Sequence, residues 1–564
     1  MQIRPCLLLG VLLGMAFQLE AQSSTVYTEP NLAYHRGIEL FNQGLFGLAQ
    51  QELETAILGL RPVNEPEWQE VKTSAALHYV RCAVRLDQPD AEKRALDFLR
   101  DQVPDPIAGQ AALEIGDYYF NKKAYPKALV YYEMAPATGA TRDELRFKTG
   151  YSYFVTKKFT AAKSIFGSLK EQPKSKFMEE ATYYYGCCCF YEKRYEDAQK
   201  AFQRCESFKK YELVVPYYLT QILFARNQID EVIRYGVPKA NIKEMRNQAE
   251  ISQLVGQAYF QKEDYSNAQK YLEFAAKMNA SFDASSFYQL GFAQYKNGFY
   301  KQAIENFVQL SKKDSLLGQN ALYHLGDSYL KTNNKMAARN AFSQASSVKY
   351  NPSIQEAALM NYAKLSWELK QDRDALKAFQ QFSPNSPYYD EAQALMGEVY
   401  LNTRDYDRAV AALESVKNRS TRLNEIYQKV TYLRGLQLYQ TNQKSEASRF
   451  FNKSIDYPID RRILTLCSYW LGTMAHEEGQ YDKSIQQLRA FLQQAGKYND
   501  LPEESSLPMG NYVQGYNYLK KKDYDSAFDH FKSCVDGIKK NSSKINNSNI
   551  SSGVLGDAFL RAGD

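Results

Sequence analysis

Residues 116–132 read Gly116-Asp117-Tyr118-Tyr119-Phe120-Asn121-Lys122-Lys123-Ala124-Tyr125-Pro126-Lys127-Ala128-Leu129-Val130-Tyr131-Tyr132. A glycine opens an aromatic stretch, a polar turn follows, and an alanine stands twelve residues after the glycine. The order is that of a helix, a turn and a second helix. The same order returns along the chain. Gly116, Gly150 and Gly186 lie 34 and 36 residues apart, Gly256, Gly291 and Gly326 lie 35 and 35 apart, and Gly397, Gly435 and Gly472 lie 38 and 37 apart. The gaps between these groups are 70 and 71, two periods each, and Gly37 and Gly515 extend the series at both ends.

Further columns keep this phase. Twelve residues after each glycine stand Ala49, Ala128, Ala162, Ala198, Ala268, Ala303, Ala338, Ala409, Ala447, Ser484 and Ala527. Four residues later come Leu53, Tyr132, Phe166, Phe202, Leu272, Phe307, Phe342, Leu413, Phe451, Leu488 and Phe531. Nine after the glycine an aromatic recurs, as at Tyr125, Phe159, Tyr195, Tyr265 and Tyr300. A period of this length marks a repeat array, in which each unit buries its apolar face only against its neighbours. The expected contact sets Gly against Ala between two antiparallel helices, with the bulky ring filling the gap beside them. Weaker units in phase lie near residues 83, 220 and 363, making about fourteen in all.

These columns resemble the tetratricopeptide repeat family, over most of residues 30 to 536. The resemblance implies an all-α fold, a right-handed superhelical solenoid of antiparallel helix pairs over residues 22–536. It also implies a concave groove lined from the first helix of each unit, at offsets −3, +1 and +4 from the glycine. Among the residues at those offsets, the expected partner-binding set is Tyr151, Phe154, Tyr183, Phe190, Phe260, Tyr288, Phe292, Tyr295, Tyr323, Tyr432 and Tyr439. Tyrosine gives wide contact area and a hydroxyl at small entropic cost, which suits the binding of a helix or an extended peptide. The chaperone-binding members grip a terminal carboxylate with Lys at −3 and Asn at +1. Here those offsets carry Leu113 and Asp117, Phe147 and Tyr151, and Tyr183 and Cys187, so that function is set aside.

Two interruptions fall near the end. Residues 493–508 hold Gly496, Pro502 and Pro508 and stretch one period to 43, and residues 539–553 are rich in Asn, Ser and Lys. Both read as exposed insertion loops. Residues 554–564 read as the start of a further helix, since Gly563-Asp564 echoes Gly116-Asp117. A truncated repeat predicts that the natural chain continues past Asp564, the alternative being a short cap.

Composition narrows the function. The 564 residues include 70 Lys+Arg against 64 Asp+Glu, a net charge of +6, without the basic excess of a nucleic-acid binder. The 44% hydrophobic content supports a packed core, and 44 Tyr with 30 Phe call for a repeated structural role. Residues 1–21 read as a secretory signal peptide: Arg4, an apolar run over residues 6–17, then Leu19-Glu20-Ala21. The run is too short to span a bilayer. Cys6 precedes it, where a lipobox cysteine would follow, so no lipid anchor is expected.

Past Cys6 the cysteines number seven, thinly scattered, which is no disulfide framework. Cys187, Cys188 and Cys189 point about 100° apart on one helix and do not converge on a tetrahedral ion. Cys189 and Cys205 stand on consecutive helices, and the sequence leaves their pairing open. His35, His78, His324, His476 and His530 are far apart along a linear array, so no catalytic or metal-binding triad assembles from them. His476-Glu477-Glu478 lacks the second histidine of a metalloprotease helix. No phosphate loop and no nucleophile turn are present. No enzyme activity, no metal and no cofactor are therefore expected.

The aromatic pattern also looks similar to envelope members of the repeat family, such as the TolA-binding protein and outer-membrane assembly lipoproteins, and the leader resembles signal peptides of Bacteroidota. The resemblance implies a periplasmic scaffold in a cell-envelope complex for assembly, secretion or motility, peripheral on the inner face of the outer membrane. Its partners would be periplasmic or outer-membrane proteins, with no nucleic acid and no direct membrane span. Two other readings stay open: the adaptor part of a longer enzyme, and a protein that stacks its Tyr rings on peptidoglycan or another glycan.

Overall fold

The computed structural model describes residues 28–103, 105–136, 142–278 and 280–564. The leader read over residues 1–21 lies outside them. Among the described residues there are 29 α-helices and no strand. Fourteen successive helix pairs account for 28 of the helices, from Thr28–Asn42 with Phe46–Leu60 to Leu507–Lys520 with Tyr524–Lys540; Leu555–Gly563 follows alone. The protein is an all-α helical repeat solenoid. It divides into two compact units at residues 281 and 282, each holding seven pairs.

Every pair closes with one backbone device. The residue seven after the glycine column takes a left-handed conformation: Lys123 (φ 60°), Lys157 (61°), Lys193 (60°), Arg404 (61°) and Lys522 (63°) are examples, with Gly298 at 83°. This lets the next amide reach back to the first helix, as Ala124 N–H does to the Tyr119 carbonyl at 2.9 Å and Arg194 N–H to the Cys189 carbonyl at 2.8 Å. Carbonyls left open at a helix end are thereby satisfied. The second helix often starts with an Asx cap, such as Asp264 accepting from the Asn267 amide at 3.1 Å. Exposed Lys, Arg and Asn fill the left-handed position in most pairs, and only Gly44, Gly298 and Gly479 use glycine there.

The core differs in one respect from the expected Gly-to-Ala contact. Each column glycine faces the large side chain sixteen residues on. A Cβ built on Gly186 would lie 2.8 Å from the Phe202 ring, on Gly326 2.8 Å from Phe342, on Gly435 2.8 Å from Phe451, and on Gly397 2.6 Å from Leu413. The glycine is a seat for the ring, and its missing Cβ is the space the ring occupies. The alanine of the second helix is fully buried beside it, as at Ala162, Ala198, Ala303 and Ala447. Ser484, the exception in that column, is buried because its hydroxyl donates to the Gly472 carbonyl at 2.7 Å and accepts from Asn517 Nδ2 at 2.7 Å.

The two interruptions are more structured than free loops. Helix Tyr481–Ala495 runs three residues into the first, Glu503–Ser505 forms a 3₁₀ turn, and the next helix already starts at Leu507. The Glu503 carboxylate accepts the backbone amides of Asn546 at 3.0 Å and Asn547 at 2.8 Å, so the two segments are tied to each other. These bonds hold the Glu503 carboxyl below its ordinary value. On the last helix, the Asp557 carboxylate accepts the hydroxyls of both Tyr512 and Tyr516, and Ala558 is buried.

All seven described cysteines are buried and free. Cys205 neighbours Cys187, whereas Cys189 is turned toward Tyr185 and Asp197. Burial pushes the Cys188 and Cys205 thiols up to about 12, which keeps them protonated and unreactive. No helix among the described residues is long and apolar enough to cross a membrane, and none of their His, Cys, Asp and Glu groups cluster to hold a metal.

The glycine seat yields a stability test. Gly186→Ala is expected to cost about 1–3 kcal/mol by overpacking against Phe202, and Phe202→Ala about 3–5 kcal/mol by leaving a cavity. Gly47→Ala, in a helix with open space around it, should instead stabilise by up to about 1 kcal/mol. Hydrogen exchange on peptides from each helix pair measures all three.

Candidate functional site

The first unit carries a cleft of about 790 Å³ on the face formed by its first helices. Phe120 comes from helix Pro106–Asn121, Phe147 and Tyr151 from Arg142–Val155, and Glu180, Tyr183 and Tyr184 from Met178–Tyr191. Lys123 and Tyr125 reach in from a hairpin turn, and Phe177, Lys210, Tyr211, Val214 and Arg246 from the links between pairs. Its size falls within the range of roughly 300–1,000 Å³ typical of ligand sites. Its wall is mostly aromatic, with charge at the edge.

The rings hold one another in place. Phe147 stacks on Phe177 with centroids 4.8 Å apart, and Tyr183 on Tyr211 at 4.5 Å. Tyr151 meets Phe120 at 5.8 Å, Tyr125 at 5.8 Å and Tyr184 at 5.3 Å, all edge-on. Such contacts are favourable beyond the area they bury and fix the rotamers of the wall. Burial raises the phenols of Tyr151, Tyr183, Tyr184 and Tyr211 above their ordinary value. They are therefore neutral hydrogen-bonding groups at any physiological pH.

Of the residues expected to line a groove, Tyr151 and Tyr183 belong to this cleft. The others are placed elsewhere, mostly between helices of neighbouring pairs. Phe154 packs against Tyr184 at 5.2 Å and Phe159 at 5.8 Å, Phe190 against Tyr218 at 5.4 Å, and Phe260 against Tyr265 at 5.8 Å. Tyr323 packs on Phe342 at 5.5 Å. Tyr432 is only 6% exposed and sits in the core beside Phe451. The Tyr439 hydroxyl donates to Glu477 at 2.7 Å. Tyr288, Phe292 and Tyr295 surround the His324 imidazole at 6.2, 4.9 and 5.4 Å, and the Tyr295 hydroxyl donates to Asp327 at 2.5 Å.

Sequence reasoning from the glycine offsets missed Phe177, Lys210, Tyr211 and Arg246. The signal was there, ten and nine residues before the column: Lys176-Phe177, Lys210-Tyr211 and Arg246-Asn247 precede three successive first helices. It was lost because the middle unit has Thr220 where the others have glycine.

Comparison with known proteins bears on the fold. Residues 244–413 match a family model described as the ARM repeat of tetratricopeptide repeat protein 21. No curated protein matches by sequence. Among solved structures, a tetratricopeptide repeat protein from Parabacteroides merdae is 17% identical, with a TM-score of 0.24, covering 49% of this chain and 98% of that one. A chain in the structure of Naa15/Naa10 bound to HypK-THB is 12% identical, with a TM-score of 0.36, covering 95% and 80%. One in the APC/C hetero-tetramer Cut9-Hcn1 is 12% identical, with a TM-score of 0.23, covering 86% and 96%.

The aromatic cage around His324 makes a pH prediction. The imidazole is buried, its Nδ1 has no hydrogen-bond partner, and desolvation lowers its pKa from 6.5 to about 4. A depressed imidazole favours the folded state while neutral. Its contribution is complete above about pH 6.5 and lost as the pH falls toward 4. The loss should reach roughly 3 kcal/mol. Hydrogen exchange in helix Leu316–Lys331 between pH 7 and 4, corrected for intrinsic rates, should show it, and His324→Phe should flatten the dependence.

Proposed function

We propose that this tetratricopeptide-type repeat protein is a non-enzymatic scaffold of the periplasm that binds a partner protein in the aromatic cleft of its first unit. The cleft carries the proposal. Its rings are locked by their neighbours and so lose little entropy when a ligand seats on them, and their hydroxyls and faces suit a peptide backbone and apolar side chains. The fold contributes a surface and no chemistry of its own. A partner held there fits the ordinary use of helical repeats, whose stacked pairs form extended binding surfaces.

The leader-like residues 1–21 support a place in the envelope, and the absence of a long apolar helix among the described residues leaves attachment to a partner in an outer-membrane or cell-envelope complex. Such a complex would serve envelope assembly, secretion or motility.

Affinity purification of the tagged protein from cross-linked, detergent-solubilised envelopes tests this reading. Wild type should recover specific envelope proteins, and a Tyr125→Ala, Tyr151→Ala variant with unchanged helical circular dichroism should lose most of them. Equal recovery by both would place binding outside the cleft. Recovery of the protein itself only from the cytoplasmic fraction would contradict the periplasmic assignment.

A further inference from the structure

The links that precede two successive first helices carry the same ion pair, and it is missing at the third. Lys176, ten residues before Gly186, pairs with Glu144 of the preceding first helix at 3.2 Å and lies 4.8 Å from the centre of the Phe177 ring. One unit on, Lys210 pairs with Glu180 at 2.6 Å and lies 5.5 Å from the Tyr211 ring. The next cation in the series is Arg246, ten residues before Gly256. The position that should hold its acid, thirty-four residues after Glu180, is Val214, and its neighbour is Asn247 where the others have an aromatic ring. Arg246 is exposed and has no ion-pair partner among the described residues, and both Val214 and Arg246 line the cleft.

Lys123, at the hairpin turn on the same cleft, is likewise exposed and unpaired among the described residues. Glu180, the carboxylate in the wall, is already satisfied by Lys210. The aromatic surface is thus bordered by two cations that the fold leaves uncompensated. The link charge that is neutralised internally at Lys176 and Lys210 is left open at Arg246.

Resting on the scaffold reading above, we propose that the cleft takes an acidic, aromatic-bearing segment within a partner protein, with Arg246 and Lys123 each meeting a side-chain carboxylate and the rings receiving the apolar residues between. A single chain-terminal carboxylate would neutralise one of the two cations. An internal segment with acids on both sides of an apolar pair neutralises both, and arginine suits the purpose because its planar fork matches a carboxylate.

The missing acid supplies the test. Val214→Glu restores the repeat's own ion pair, and a carboxylate at this helix N-terminus is compatible with folding. The probe is a fluorescein-labelled hexapeptide of Asp, Glu, Tyr, Phe, Glu and Asp with an amidated C-terminus, compared by anisotropy with its Asn/Gln counterpart on the full chain. Wild type should prefer the acidic peptide by about ten-fold or more, the size of one charge-assisted hydrogen bond. Val214→Glu and Arg246→Glu should each remove that preference, and Arg246→Lys should keep part of it. Freeing the C-terminus should change little.

Equal affinity for the two peptides, or a full preference retained by Val214→Glu, overturns the proposal. So does binding that depends on a free C-terminus. Equal binding that falls with Tyr151→Ala would overturn the acidic segment while leaving the aromatic scaffold in place, which separates the two readings. Should Val214→Glu not fold, Arg246→Gln at its exposed position carries the same decision.

Discussion

The structure depends on one contact made again and again: a large side chain of the second helix inserted where a glycine of the first helix has no Cβ. Between Gly186 and Phe202, or Gly397 and Leu413, the shortfall against an added methyl is several tenths of an ångström, in a core with no slack to absorb it. The contact brings the two backbones of a pair together and buries the ring completely. Alanine beside it keeps the second helix close. Everything further out, including the rings that face neighbouring pairs, inherits its position from this seat.

Regular construction gives the departures their meaning. At two successive links, Lys176 and Lys210, the charge is neutralised by the helix pair before, and tyrosines elsewhere are occupied by other rings or by carboxylates, as Tyr439 is by Glu477. Where the pattern lapses, as at Val214 and Asn247, a charge and an aromatic surface are left open side by side. The tied interruptions near the end show the reverse case. Residues with the composition of loops are held by Glu503, whose carboxylate organises the backbone of residues 546 and 547.

The fold was legible because periodicity survives in sequence. Glycine at the seat, alanine twelve residues on and a ring or leucine sixteen residues on meet steric demands that few other residues satisfy, so the columns stay visible through 34- to 38-residue spacings. The left-handed turn was not legible, since the position accepts residues as different as Lys123, Glu263, Arg404 and Asn442. The requirement there is on the backbone, and exposed polar residues of many kinds meet it with a following amide that reaches back to the first helix.

The site was legible only in part. Tyr151 and Tyr183 were found from their offsets, but Tyr432, at an equivalent offset, is core. An offset fixes the face of a helix a ring leaves from and says nothing of whether the next pair covers it. The sequence by itself determined the repeat, the helix pairs and the absence of the known carboxylate-gripping residues, because those depend on local spacing. Only the tertiary structure decided which rings stay open and which cations stay unpaired, because exposure and neutralisation depend on contacts between pairs some thirty residues apart.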